Sequence, residues 1–415
     1  MSFSKRISDI AEKADRDLQE VFRVIDRISE YNTSRVLTEF KNSKVSDSLF
    51  AGTTGYGYDD KGRDVLDRIF AKLFGAESAF VRHNIVSGTH ALTIALFGLL
   101  RPGDIMLSVT GKPYDTLDGV IGSSDGNGSL KDYGIEYRET DVLTEKGIDC
   151  SGLAEKISSL SERLKVVYIQ RSRGYLSRKT LSTDDLAALI KNIRSVTDAF
   201  IVVDNCYGEF VDTCEPTQYG ADLAVGSLIK NPGGGLADSG GYIAGSARAV
   251  ELASYRLTSV GAGCEVGASL GQNRNLYRGL FYAPHTVAQA LKTAHFAAYV
   301  FSELGFETDP QPYERRYDII QTVKLGSPEK LCAFCAGIQH GSPVDSFVTP
   351  VAWDMPGYKD QVIMAAGTFT QGASIELSAD GPMRPPYTVF FQGGLTYESG
   401  KYCIMSAADE LIRCT

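Results

Sequence analysis

Residues 199–235 read AFIVVDNCYGEFVDTCEPTQYGADLAVGSLIKNPGGG. Two apolar, β-branched runs stand in this stretch, and each ends in a residue that can do chemistry. The first closes on Asp204, and the second closes on Ser227-Leu228-Ile229-Lys230 before a proline and three glycines. Nearly unbroken apolar strands indicate a parallel sheet buried on both faces, whereas strict alternation would indicate a half-solvated one. Ligands of such sheets sit outside the carboxyl ends of the strands, where Asp204 and Lys230 fall. A carboxylate there can cap the next helix or hold a cationic ring nitrogen in a dry site. A lysine set among apolar residues and glycines loses its charge readily and becomes a nucleophile for Schiff-base formation. The competing reading is a surface lysine at a strand end. The glycines favour the first reading, because they let a ligand approach the backbone.

The same pattern extends outward. From about residue 65 to 260, β-rich runs (AFVRHNIV, DIMLSVT, KVVYIQ, GGYIAG) alternate with helical windows (THALTIALFGLL, DDLAALIKNIR), which predicts an α/β domain with a mostly parallel sheet. AFVRHNIV runs into Ser87-Gly88-Thr89-His90 and then a helix. Small residues at a helix N-terminus offer unpaired N–H groups to a phosphate, and a plain N-cap is the alternative. Beyond Pro284 a helical window ends at Gly305, and DIIQTVKL, QVIMAAG, SIELS, YTVFFQGG and a helix from about Ser399 predict a smaller α+β domain. At the other end, Ile7, Ile10, Ala14, Leu18, Val21, Ile25 and Ile28 recur at helical spacing, and the polar stretch from Tyr31 to Lys44 reads as a linker. The expected organisation is residues 1–50 as helix and linker packing on the small domain, 51–285 as the large domain and 286–415 as the small one.

Composition bounds what such a chain can do. Its 415 residues exceed the roughly 250–300 at which single cores stop growing, which agrees with two domains. With 43% hydrophobic residues and a net charge of −9, disorder is excluded, and without a long Lys/Arg cluster no nucleic-acid partner is expected. No window of eighteen apolar residues lacks charge, so no membrane span is expected, and an N-terminus without an apolar h-region predicts a cytoplasmic protein. Eight cysteines are too sparse for a disulfide scaffold. The pair in Cys332-Ala333-Phe334-Cys335 lacks a second such motif and shares a helical stripe with Leu331, Phe334 and Ile338, so it reads as packed thiols. Acidic residues are scattered, and no metal site is expected.

The order of these features, a phosphate cradle, then Tyr114, then Asp204, then Ser227-x-x-Lys230, resembles the fold type I enzymes that use pyridoxal 5′-phosphate (PLP). A closer resemblance is carried by AGTTGYGYDDKGRD, SGTHA, QRSRGY, VVDNCYGEF, SLIKNPGGG, TPVAWDMPGY and GPMRPPYTVFFQGGLTYESGKY. These segments are similar to those of the bacterial cystathionine β-lyase family proteins involved in aluminium resistance, also called the methionine γ-lyase-like family. The resemblance implies an aspartate-aminotransferase-like α/β fold, with a mostly parallel seven-stranded sheet and a smaller α+β C-terminal domain. It matches Lys230 to the lysine that forms the internal aldimine and Asp204 to the partner of the pyridinium nitrogen. Ser87, Gly88, Thr89 and Ser227 match the phosphate site. Tyr114 is the choice for the residue stacked on the ring, with His90 the alternative. Tyr56, Tyr58 and Arg63 resemble residues sent into the phosphate site of a neighbouring subunit, which implies a homodimer or homotetramer; an ordinary polar loop is the other reading. Arg384 is placed like the arginine that fixes a substrate α-carboxylate, and Arg171 and Arg173 are alternatives for a second anion unless they are surface charges. The implied function is a PLP-dependent carbon–sulfur lyase acting on a sulfur-containing amino acid by β- or γ-elimination. Another PLP reaction, such as aminotransfer, or a non-catalytic PLP protein in stress resistance, stays open.

Overall fold

The apolar runs that flank Asp204 become neighbouring strands in the computed structural model, which describes residues 3–122, 126–144, 147–176, 178–355 and 358–414. The strands are β1 (Ser78–Arg82), β2 (Ile105–Ser108), β3 (Glu136–Glu139), β4 (Leu164–Gln170), β5 (Phe200–Asp204), β6 (Leu223–Ser227) and β7 (Gly241–Gly245). They form one seven-stranded sheet in the order β1-β7-β6-β5-β4-β2-β3. Only β7 runs against its neighbours, so the sheet is mostly parallel, as predicted. Alternate residues of each strand point to opposite faces. Val166, Tyr168, Val202 and Val225 join one apolar cluster with Leu92 and Leu96 of helix α4 (Gly88–Leu99). Val167, Ile169, Ile201 and Val203 join another with Leu186, Leu189, Ile190 and Ile193 of helix α5 (Thr183–Arg194). Those four α5 residues recur at i, i+3, i+4 and i+7, and each contributes about 1.5–3 kcal/mol by leaving water.

Residue contacts divide the chain into two compact units, Ser34–Leu228 with Leu236–Phe281, and Met1–Thr33 with Ile229–Gly235 and Tyr282–Thr415. The second holds an antiparallel sheet of β8 (Glu307–Asp309), β9 (Ile320–Lys324), β10 (Val362–Ala365), β11 (Ser378–Pro382) and β12 (Thr388–Gln392), in the order β8-β9-β12-β11-β10. SIELS, expected as a strand, instead ends a turn. The buried Glu376 carboxylate accepts the backbone N–H groups of Phe369 and Thr370, at 2.6 and 2.8 Å, and the strand begins only at Ser378. Helices α7 (Pro328–Gly341) and α8 (Tyr397–Cys414) approach closely, since a Cβ on Gly337 would lie 2.4 Å from Ala407 Cα. Cys335 is fully buried on α7 and its thiol points to the Ala379 carbonyl.

Two boundaries differ from expectation. The N-terminal pattern breaks at Leu18 into α1 (Lys5–Asp17) and α2 (Gln19–Asn42), and α2 continues through the stretch read as a linker. That stretch contains neither glycine nor proline, and it buries Asn32 and Val36 while Arg35 donates to the carbonyls of Leu73 and Thr213. Helix α6 (Asn273–Glu303) begins well before Pro284, which sits inside it. Proline removes one N–H, and the packing of Leu276, Tyr277 and Leu280 on the preceding turns outweighs that loss. At the chain's N-terminus Ser4 Oγ donates to Asp409 of α8 at 2.6 Å, and Tyr397 donates to Asp15 of α1 at 2.7 Å. Among the described residues no helix is long and apolar enough to cross a membrane.

Candidate active site

Parallel pairing brings Gln170, Asp204 and Ser227 to one edge of the large sheet, because β4, β5 and β6 are neighbours that end together. Helix α4 starts over this edge. Its N-cap, Ser87, accepts from the backbone N–H of His90 at 3.0 Å. A Cβ built on Gly88 would lie 3.2 Å from Cys206 Sγ and 3.7 Å from Ser227 Cβ, so the loop backbone comes within van der Waals reach of the ends of β5 and β6. Thr89 Oγ1 lies 2.6 Å from Thr116 Oγ1, which ties the cradle to the loop that carries Tyr114. Gln170 completes the ring of contacts by accepting from the Tyr114 backbone N–H at 2.6 Å. Ser87, Gly88, Thr89, Tyr114, Asp204 and Ser227, read separately from the sequence, are thus gathered at one sheet edge. His90 has a local task there, its Nδ1 accepting from the Val86 N–H at 3.2 Å.

Asp204 is only 7% exposed. Its Oδ1 accepts from the Cys206 N–H at 3.1 Å and its Oδ2 from the Tyr168 hydroxyl at 3.3 Å, and among the described residues no basic side chain forms an ion pair with it. A buried carboxylate without a cation is costly, and it suits a ligand that brings a positive charge. The backbone N–H groups of Gly88 and Thr89, in the first turn of α4, suit the opposite end of the same ligand, a phosphate. The edge therefore fits PLP on both counts.

Lys230 follows Ser227 by three residues and is half-buried; with Ile229–Gly235 it belongs to the other compact unit. Gly234 and Gly235, just beyond it, adopt left-handed φ angles of 56° and 75°, which side chains other than glycine's strongly disfavour.

A buried polar network, invisible in the sequence, backs Asp204. Arg171, fully buried, donates through Nη1 to Asn205 Oδ1 at 2.8 Å and to the Gly208 carbonyl at 3.1 Å, and lies 3.8 Å from Glu215. Asn205 donates in turn to Glu215 and to the Tyr242 hydroxyl, and Tyr242 donates to Glu209 at 2.9 Å. Burial pushes the Glu215 carboxyl above its ordinary value, and Arg171 pulls it back part of the way. Tyr207 and Phe210, in the same loop, are held at positive φ. The amide Asn205 within VVDNCYGEF was the available signal, but that it meets Arg171, just after β4, and Glu215 is set by the fold.

The arginines and tyrosines singled out from the sequence differ in exposure. Arg171 and Arg173 are among the most deeply buried side chains of the protein and not surface charges. Arg63 is buried too, and it turns back on its own loops. Its guanidinium donates to the carbonyls of Gly57 and Gly267 at 2.8 and 2.9 Å and pairs with Asp64 at 2.8 Å, so its donors are engaged within its own chain. Tyr56 and Tyr58 by contrast are exposed side by side, with ring centroids 5.7 Å apart. Arg384 is exposed on the turn between β11 and β12, where it pairs with Asp360 at 2.7 Å.

Comparison with known proteins agrees with this geometry. The family model described as methionine gamma-lyase matches residues 7–412. The protein YnbB of Bacillus subtilis (strain 168) is 49% identical over 416 residues, spanning 100% of this chain and 98% of its own length. The crystal structure of a carbon-sulfur lyase involved in aluminum resistance from Clostridium novyi NT matches with a TM-score of 0.94 at 46% identity, covering 98% of this chain and 96% of that one. The pyridoxal-5′-phosphate dependent protein YhfS from Escherichia coli shares the fold alone, with a TM-score of 0.65 at 15% identity over 94% of this chain and 97% of its own. The chain belongs to the methionine gamma-lyase family of PLP-dependent carbon–sulfur lyases.

Proposed function

We propose that this protein removes a β- or γ-thiolate from a sulfur-containing amino acid of the cystathionine, cysteine or methionine type, consuming one water and yielding a thiol, a keto acid and ammonia. The observation that supports this most is the buried carboxylate of Asp204, without an ion-pair partner among the described residues, at a sheet edge overhung by the N-terminus of α4, in a chain of this family. In this reading Asp204 pairs with the ring nitrogen, and Ser87, Gly88, Thr89 and Ser227 hold the phosphate. Tyr114 stacks on the ring. Bound PLP supplies an electron sink for the charge left at the substrate's Cα. Lys230 would anchor the cofactor, and its amine would take the Cα proton and can pass a proton to the departing thiolate. Arg384 is accessible to a substrate carboxylate, which would compete with Asp360 for its guanidinium. Tyr56 and Tyr58 are accessible to a second copy of the chain, and a homodimer or homotetramer in the cytoplasm is part of the proposal.

The test is the absorption spectrum of the purified protein before and after adding L-cystathionine, L-cysteine or L-methionine, with assays for thiol and keto acid. Release of both without an amino acceptor is the expected result. Turnover only with an acceptor would replace the lyase by an aminotransferase, and a PLP-bound protein inert to every amino acid would leave a non-catalytic role. Lys230→Ala is expected to lose both the cofactor band and turnover; full activity in that variant would remove the lysine from the mechanism.

A further inference from the structure

Tyr168 is the one phenol in the strand run LKVVYIQ, and it is fully buried in the apolar cluster that includes Val166, Val202 and Val225. Packing does not account for its hydroxyl, because phenylalanine would fill the same space. The hydroxyl's hydrogen-bond partner is Asp204 Oδ2, at 3.3 Å. We propose that Tyr168 is a positioning residue for Asp204, fixing the carboxylate that meets the cofactor's ring nitrogen; this rests on the functional reading above.

The geometry carries the inference in two steps. Among the described residues each carboxylate oxygen has one donor, the Cys206 N–H on Oδ1 and the Tyr168 hydroxyl on Oδ2, so the plane of the group is set from both ends. Each oxygen keeps lone-pair capacity for a further donor, which a protonated ring nitrogen would use. The hydroxyl can only act as a donor in this pair. Burial and the adjacent Asp204 charge hold the phenol well above its ordinary value, and it stays protonated at any working pH.

The experiment is a double-mutant cycle on cofactor affinity, measured by titrating PLP into the cofactor-free full chain and reading its absorption. Tyr168→Phe is expected to weaken PLP binding about tenfold, the effect of one hydrogen bond to a charged group. In an Asp204→Asn background the same substitution should cost less than about twofold, because its target is gone. Equal losses in both backgrounds would overturn the proposal by showing that Tyr168 acts through packing. Unchanged affinity in Tyr168→Phe would overturn it as well, and so would a Tyr168→Phe chain that fails to fold, since the hydroxyl would then serve the fold itself. A wild-type protein that takes up no PLP would overturn the functional reading first and the proposal with it.

Discussion

Replacing Arg171 by methionine keeps most of the side-chain volume and removes the cation from the buried network, leaving the Glu215 carboxylate without it. Breaking a buried pair by deleting one partner costs about 3–5 kcal/mol. The lower end applies here for two reasons. Arg171 Nε and Nη2 have no hydrogen-bond partner among the described residues, so methionine also relieves an existing desolvation cost, and the Glu215 contact is 3.8 Å. A loss of about 3 kcal/mol at neutral pH is therefore expected from urea denaturation followed by circular dichroism. The pH dependence identifies its origin. Burial already raises Glu215, and without Arg171 it rises further, so the folded variant holds a proton that the unfolded chain releases above about pH 4.3. Where the folded state binds more protons, stability falls as pH rises. The deficit should be small near pH 5, grow as pH rises toward the raised folded value and level off above it, and Glu215→Gln in the same background should recover at least about 1 kcal/mol. A deficit that is the same at pH 5 and pH 8, and untouched by Glu215→Gln, would refute the assignment of Arg171 as the counter-charge of Glu215.

Three further outcomes follow from particular contacts. A Cβ on Gly226 would lie 2.4 Å from Glu209 Oε1 and 2.5 Å from Tyr242 Cε1, so Gly226→Ala should destabilise the large unit by about 3 kcal/mol or more, visible as a lowered melting temperature or insoluble expression. Gly88→Ala meets only a tight 3.2 Å contact with Cys206 Sγ, and should leave the melting temperature within a few degrees while weakening PLP binding about tenfold in a titration. His295, buried with Arg316 nearby, is held down to about 3. A depressed histidine contributes stability that is present above its unfolded value of about 6.5 and is lost as pH falls, which amounts to about 2 kcal/mol between pH 7 and pH 5. His295→Asn should lack that decline, and equal acid sensitivity in the two proteins would contradict the burial argument.

What the sequence discloses and what it hides divide along physical lines. The apolar strands around Asp204 were legible because β-branched runs bounded by turns depend on nearest neighbours, and so was the rule that parallel strands collect their end residues at one edge. The helix from Tyr31 to Asn42 was not legible, since its polar surface is justified by distant acceptors such as the carbonyls of Leu73 and Thr213. Arg63 shows the same limit at a side chain: its spacing from Tyr58 is local, whereas its direction is set by the carbonyl of Gly267, about two hundred residues away. Tyr168 was counted as one more apolar residue of a strand, because nothing in LKVVYIQ tells which neighbour its hydroxyl will meet.

The arrangement beside Asp204 also shows how a buried guanidinium is held next to the strand end. Arg171 bonds to β5 through its backbone, its N–H donating to the Asp204 carbonyl at 3.1 Å. Its guanidinium nevertheless turns to Asn205, Gly208 and Glu215. Gly208 permits this, since a Cβ there would fall 2.5 Å from Arg171 Nη1 and push the charged group out of its place. Glu215 rewards it, because a fully buried acid requires a counter-charge more than a strand-end acid that a cationic ring can neutralise. The loop from Asn205 to Glu215 thus does more than link β5 to β6: its Asn205 amide, its Gly208 carbonyl and its Glu215 carboxylate hold the Arg171 guanidinium in one place beside the strand that ends at Asp204.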